Sequence, residues 1–94
     1  MKVKFYATLR LKLGQSSVEV APLPGATVRH VLADLTVRYP VLKEWIWDES
    51  GGLAEHVHVL LNGRDVRHLS GLDTPVGPED AMDVFPPVGG GSDE

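Results

Sequence analysis

Residues 2–8 alternate: Val3, Phe5 and Ala7 fall on one side, Lys2, Lys4 and Tyr6 on the other. A period of two marks a strand with one buried face. Residues 9–13 either extend that strand or form a turn of helix, and Gly14 and Gln15 mark a turn. Ser17-Val18-Glu19-Val20 reads as a second strand, a hairpin partner of the first, closed off by Pro22, Pro24 and Gly25. Thr27 then fits a helix N-cap, and Val28, Val31, Leu32, Leu35 and Tyr39 follow at the spacing of an amphipathic helix over residues 27–39. Pro40 stops it. Residues 41–47 suggest a short helical piece anchored by Leu42 and Trp45, and residues 48–52 a polar loop.

Alternation returns at residues 56–61, with Val57, Val59 and Leu61 inward and His56, His58 and Leu60 outward. Asn62-Gly63 is a strong hairpin signal. Residues 64–67 come back as a strand with Val66 inward. After a loop carrying Gly71, Pro75, Gly77 and Pro78, residues 81–85 form the last strand, with Met82 and Val84 inward. The order strand, strand, helix, strand, strand, strand describes an α+β chain. It fits a ubiquitin-like β-grasp, a mixed sheet packed on one main helix. Residues 1–88 make the domain and residues 89–94 a Gly-rich tail. The pattern predicts Val3, Phe5, Val31, Leu35, Val59 and Val84 in the core.

Composition narrows the function. Ninety-four residues make one domain, and a hydrophobic fraction of 43% supplies one small core. There is no cysteine, so neither a disulfide nor a thiolate site can form. The formal charge of −4 argues against nucleic-acid binding, which needs a basic surface. No apolar run is long enough to span a membrane, and Met1-Lys2-Val3-Lys4-Phe5 reads as strand rather than leader. The expectation is a cytoplasmic domain with no nucleic-acid or membrane partner.

Among the chemistry-bearing side chains, His56 and His58 share a strand face, but the sequence offers them no obvious third ligand and no metal site is assigned. His30 and His68 have no evident partners. No Ser/His/Asp arrangement or phosphate loop is apparent, because Gly89-Gly90-Gly91 does not lead into a helix. Trp45 and Trp47 cannot share one helical face, so one should be buried and the other partly exposed. With Val84 inward, Phe85 points outward beside Tyr6 and Leu60. The three form a candidate docking patch next to the tail, with Lys2, Lys4 and Arg10 as rim charges.

The chain closes with Phe85-Pro86-Pro87-Val88-Gly89-Gly90-Gly91-Ser92-Asp93-Glu94. Proline cannot extend the strand ladder, and three glycines form a thread slim enough for a narrow slot. From Pro87 to Gly91 the thread reaches roughly 13 Å at about 3.3 Å per residue. Gly-Gly-Gly-Ser is also linker composition. The ending resembles that of the MoaD/ThiS family of ubiquitin-like sulfur carriers. The likeness extends through Ala7-Thr8-Leu9-Arg10, Gly25-Ala26-Thr27-Val28, Val59-Leu60-Leu61-Asn62-Gly63 and Gly71-Leu72-Asp73-Thr74.

The resemblance implies a carrier rather than an enzyme. An adenylyltransferase of the ubiquitin-activating type would use ATP and Mg²⁺ to adenylate the carboxylate of Gly91. A sulfur donor protein would then convert it to a thiocarboxylate, with Gly89 and Gly90 giving slim passage. This chain departs from the family pattern, because Ser92-Asp93-Glu94 follow Gly91. A cut between Gly91 and Ser92, by a JAMM-type peptidase, would have to come first. Three other roles fit the same residues: the small subunit of a molybdopterin synthase, whose tail enters a large subunit; a ubiquitin-like modifier joined to lysines through Gly91; and a non-catalytic interaction domain.

Overall fold

The first strand is shorter than its alternation suggests. In the computed structural model, which describes residues 1–87, β1 spans Lys2–Phe5 and the chain turns at Tyr6 into a helix, α1, over Ala7–Leu13. Ala7 has φ 51°, and that left-handed residue breaks the period of two. Ala7 is therefore exposed, contrary to the inward position expected for it. Leu9 takes its place in the core, fully buried. Gly14 ends the helix at φ 83° and donates its N–H to the carbonyl of Arg10, a conformation glycine adopts without a Cβ penalty. Strand β2, Ser17–Glu19, then pairs with β1, so the two strands expected to form a hairpin are joined through a helix.

The main helix, α2, spans Val28–Arg38. Thr27 caps it with an unexpected partner: the ring Nδ1 of His30 accepts the Thr27 N–H at 2.9 Å. His30 thus takes the place usually held by Glu or Gln in a capping box. A 3-10 turn over Pro40–Leu42 leads into α3, Lys43–Ile46, anchored by Leu42 and Ile46, both fully buried. Trp45, the anchor expected beside Leu42, is only half-buried. Trp47 is half-buried too, rather than one tryptophan being buried and the other partly exposed. The indole N–H of Trp47 donates to Thr36 Oγ1 at 3.2 Å, which satisfies its polar end and holds α3 against α2.

Strand β3, His58–Leu61, turns through Asn62 and Gly63, at φ 51° and 85°, into β4, Arg64–Asp65. The return strand was expected over 64–67. It stops early because the Asp65 carboxylate accepts the Arg67 N–H at 2.9 Å and starts a 3-10 turn, Val66–His68. Val66 stays fully buried. Strand β5, Ala81–Phe85, completes a sheet of order β2-β1-β5-β3-β4. The first and last strands lie side by side and parallel at its centre, and the other pairings are antiparallel. This mixed sheet with its packed helix is the β-grasp arrangement.

One face of the sheet and the apolar stripe of α2 share a single core. Val3, Phe5, Val59, Met82 and Val84 meet Val28, Val31, Leu32 and Leu35, all 2% exposed or less. All six residues named for the core from the sequence are in it. Each such side chain contributes about 1.5–3 kcal/mol relative to exposure. Among the described residues, no helix is long and apolar enough to cross a membrane.

Candidate functional site

The tail leaves the body at the end of β5, so the candidate site is that strand's end and the sheet face away from α2. Alternation puts Lys2, Lys4, His58, Leu60, Ala81, Asp83 and Phe85 on this outer face, and the register arranges them in rows. Lys4 lies beside Asp83, Leu60 faces Asp83 on one side and Asp65 on the other, and His58 faces Phe85.

Of the three residues proposed for docking, Tyr6 and Phe85 are in contact. Their rings stack with centroids 4.3 Å apart and planes at 12°. Leu60 sits one row away, across Asp83. All three are half-buried. The two rings cover part of each other, and the largest apolar exposures lie elsewhere, at Leu11, Leu23 and Val37. Tyr6 also donates its hydroxyl to Asp83 Oδ1 at 2.9 Å and its backbone N–H to the Val84 carbonyl at 3.2 Å. The bond to Asp83 holds the Tyr6 phenol above its ordinary pKa, with desolvation and the carboxylate charge acting in the same direction. Pro86 is buried and Pro87 exposed, so the chain leaves the body between them. Gly89, Gly90, Gly91 and Ser92 lie outside the described residues.

The expected rim charges are present: Lys2, Lys4 and Arg10 are exposed. His58 does have a carboxylate neighbour after all, because the hairpin brings Asp65 Oδ2 within 3.5 Å of its Nδ1. The Asp65 carboxyl is held below its ordinary pKa, chiefly by the Arg67 N–H. Among the described residues, no three His, Cys, Asp or Glu side chains cluster as a metal site would require. A cleft of about 450 Å³ opens between α2 and the loop after β2, lined by Val20, Leu23, Val31 and Asp34. It lies at the opposite end of the sheet from Phe85, because β2 runs antiparallel to β1 while β5 runs parallel to it.

Sequence reasoning missed two groups. One is the Tyr6–Asp83 bond, since strand pairing between the chain's two ends leaves no local signal. The other is Arg67, whose guanidinium donates to the carbonyls of Val57 and Ala54, each at 2.6 Å, and pins the approach to β3.

Comparison with known proteins places these features. A model described as the ThiS family matches residues 3–91. Small archaeal modifier protein 3 of Haloferax volcanii is 42% identical over 91 residues, covering 97% of this chain and 98% of its own. The crystal structure of SAMP1 from Haloferax volcanii superposes with TM-score 0.85 at 32% identity, covering 97% of this chain and 98% of that one. A chain of the Amycolatopsis orientalis BexX/CysO complex matches with TM-score 0.79 at 31% identity, covering 96% and 98%.

Proposed function

The chain belongs to the MoaD/ThiS family of ubiquitin-like sulfur-carrier proteins, and from that membership we propose that it carries sulfur on the C-terminal carboxylate of Gly91. One observation carries the choice of residue: the family match extends through the glycines and stops at Gly91, leaving Ser92-Asp93-Glu94 outside it.

The chemistry follows from the functional group. A carboxylate is a poor electrophile at neutral pH. On an activating enzyme its oxygen attacks the α-phosphorus of ATP, whose charge Mg²⁺ offsets, and pyrophosphate leaves. A persulfide on a donor protein then attacks the acyl carbon through its outer sulfur and AMP departs; a second thiol cleaves the resulting acyl disulfide, forms a disulfide with the donor cysteine, and leaves the thiocarboxylate. The chain supplies no catalytic group. It supplies an acyl terminus that Gly89 and Gly90 let pass through a narrow channel, and a sheet face beside Phe85 for the activating enzyme. The solved BexX/CysO complex, one chain of which shares this fold, supports a fold that works docked to a partner protein. A cytoplasmic location suits a partner that consumes ATP.

A second reading is favoured by the relatives' names. Two of the similar chains are called small archaeal modifier proteins. Attack on the same acyl-adenylate, or on a thioester derived from it, by a lysine amine would yield an isopeptide bond, so both outcomes share one activated Gly91. Either requires that the Gly91–Ser92 bond be cut first, for which a peptidase of the JAMM type is the proposed partner. Intact-mass measurement of the protein from its own cells tests both readings. A chain ending at Gly91, with thiocarboxylate or joined to other proteins, supports them. A population made up entirely of untrimmed, unconjugated chain counts against both.

A further inference from the structure

The root of the tail is held by one residue from the other end of the chain. Tyr6 touches three consecutive residues of β5: its hydroxyl reaches Asp83, its N–H reaches the Val84 carbonyl, and its ring stacks on Phe85. From the other side, Tyr6 is fixed by α1, whose first turn bonds back to its carbonyl through the N–H groups of Leu9 and Arg10 at 3.2 and 3.4 Å. The next residue, Ala7, holds a left-handed φ of 51°. For a residue with a side chain that conformation persists only where its surroundings enforce it. Directly beyond Phe85 come Pro86, buried, and Pro87, two residues whose rings fix φ near one value.

We propose that Tyr6 is a positioning residue for the tail: by clamping Asp83, Val84 and Phe85 it fixes the direction in which Pro86 and Pro87 launch the glycines. The use of that direction rests on the carrier reading above. Delivering one carboxylate to one phosphorus through a narrow channel depends on geometry, and a fixed launch direction removes part of the search. The stack covers one face of the Phe85 ring with a side chain of the same chain. This separates the proposal from docking: a docking residue governs how tightly the activating enzyme holds the chain, whereas a positioning residue governs turnover once it is held.

The chain has no cysteine, so two can be introduced uniquely. Spin labels on Glu44→Cys, exposed on α3, and Val88→Cys give a distance distribution in the full chain. The background is then changed to Tyr6→Phe, Tyr6→Leu or Phe85→Leu. Loss of the stack in either leucine variant should broaden the distribution, and Tyr6→Phe, which keeps the ring, should leave it narrow. With the chain ending at Gly91, Tyr6→Leu should lower kcat for adenylation on the order of 100-fold at unchanged KM. Unchanged distributions overturn the proposal. So does a raised KM at unchanged kcat, which would make Tyr6 a docking residue. Phe85→Leu guards against a Tyr6 variant that fails to fold. Broadening in a protein that no adenylating enzyme activates supports the clamp and counts against the carrier reading alone.

Discussion

Tyr6 and Asp83 are 77 positions apart, yet the phenol donates to the carboxylate at 2.9 Å because β1 and β5 lie side by side. The bond stabilises the neutral phenol, so the folded pKa stands above the ordinary value. Its contribution to stability is present below about pH 10, where an unfolded tyrosine ionises. It is lost as pH rises through the higher folded value, when phenolate and carboxylate repel. Phenolate absorbance during alkaline titration should show one of the two tyrosines ionising late. Asp83→Asn should bring that ionisation down, and an identical curve in the variant would show that the pair is not coupled.

Leu35 is fully buried at the centre of α2. Leu35→Ala should cost about 2–4 kcal/mol, the lost transfer energy plus the cavity left behind. Val59→Ala, which removes less volume, should fall in the lower part of that range. The readout is the denaturant midpoint at constant slope. A change below about 0.5 kcal/mol, the size of a surface substitution, would contradict the core assignment.

Arg67 holds two carbonyls at once, those of Val57 and Ala54. Lysine offers one compact charge where the guanidinium offers a fork. Arg67→Ala should destabilise by about 1.5–3 kcal/mol, a loss typical of charge-assisted hydrogen bonds, and Arg67→Lys should recover only part of it. Amide exchange at Val57, whose N–H donates to Ala54, should quicken in both variants. Full protection in Arg67→Ala would mean that the approach to β3 is held by something else.

Gly91 has no free carboxylate while Ser92 is attached. A chain ending at Gly91 should therefore form an acyl-adenylate with ATP and a cognate activating enzyme, and the longer chain should form none. Pyrophosphate release measures the difference. Equal release from both forms would show that the extension is no barrier.

What the sequence revealed follows from the range of each signal. Alternation placed Val57, Val59 and Leu61 correctly because a two-residue period is local. Asn62-Gly63 marked its turn for the same reason, through two left-handed residues in succession. Ala7 was misplaced because its left-handed backbone overrides a period that runs on in the letters. The early end of β4 depended on a side-chain cap from Asp65, which composition does not announce. At the candidate site, the outward facing of Tyr6, Leu60 and Phe85 was legible. The stacking of Tyr6 on Phe85 was not, because it depends on which strands become neighbours across the whole chain.

The parallel pairing of β1 with β5 also sets how the molecule bears force. The Met1 amine bonds to the Val20 carbonyl at one pole of the sheet, and β5 ends at the other. A pull applied between Met1 and Phe85 draws the two central strands past each other lengthwise. Their four paired positions, from Lys2 beside Ala81 to Phe5 beside Val84, then share the load in shear instead of opening one by one. A motor that grips the tail and drags must break that ladder nearly all at once before any of the core unravels. The chain beyond Phe85 thus hangs from a seam that is loaded in shear.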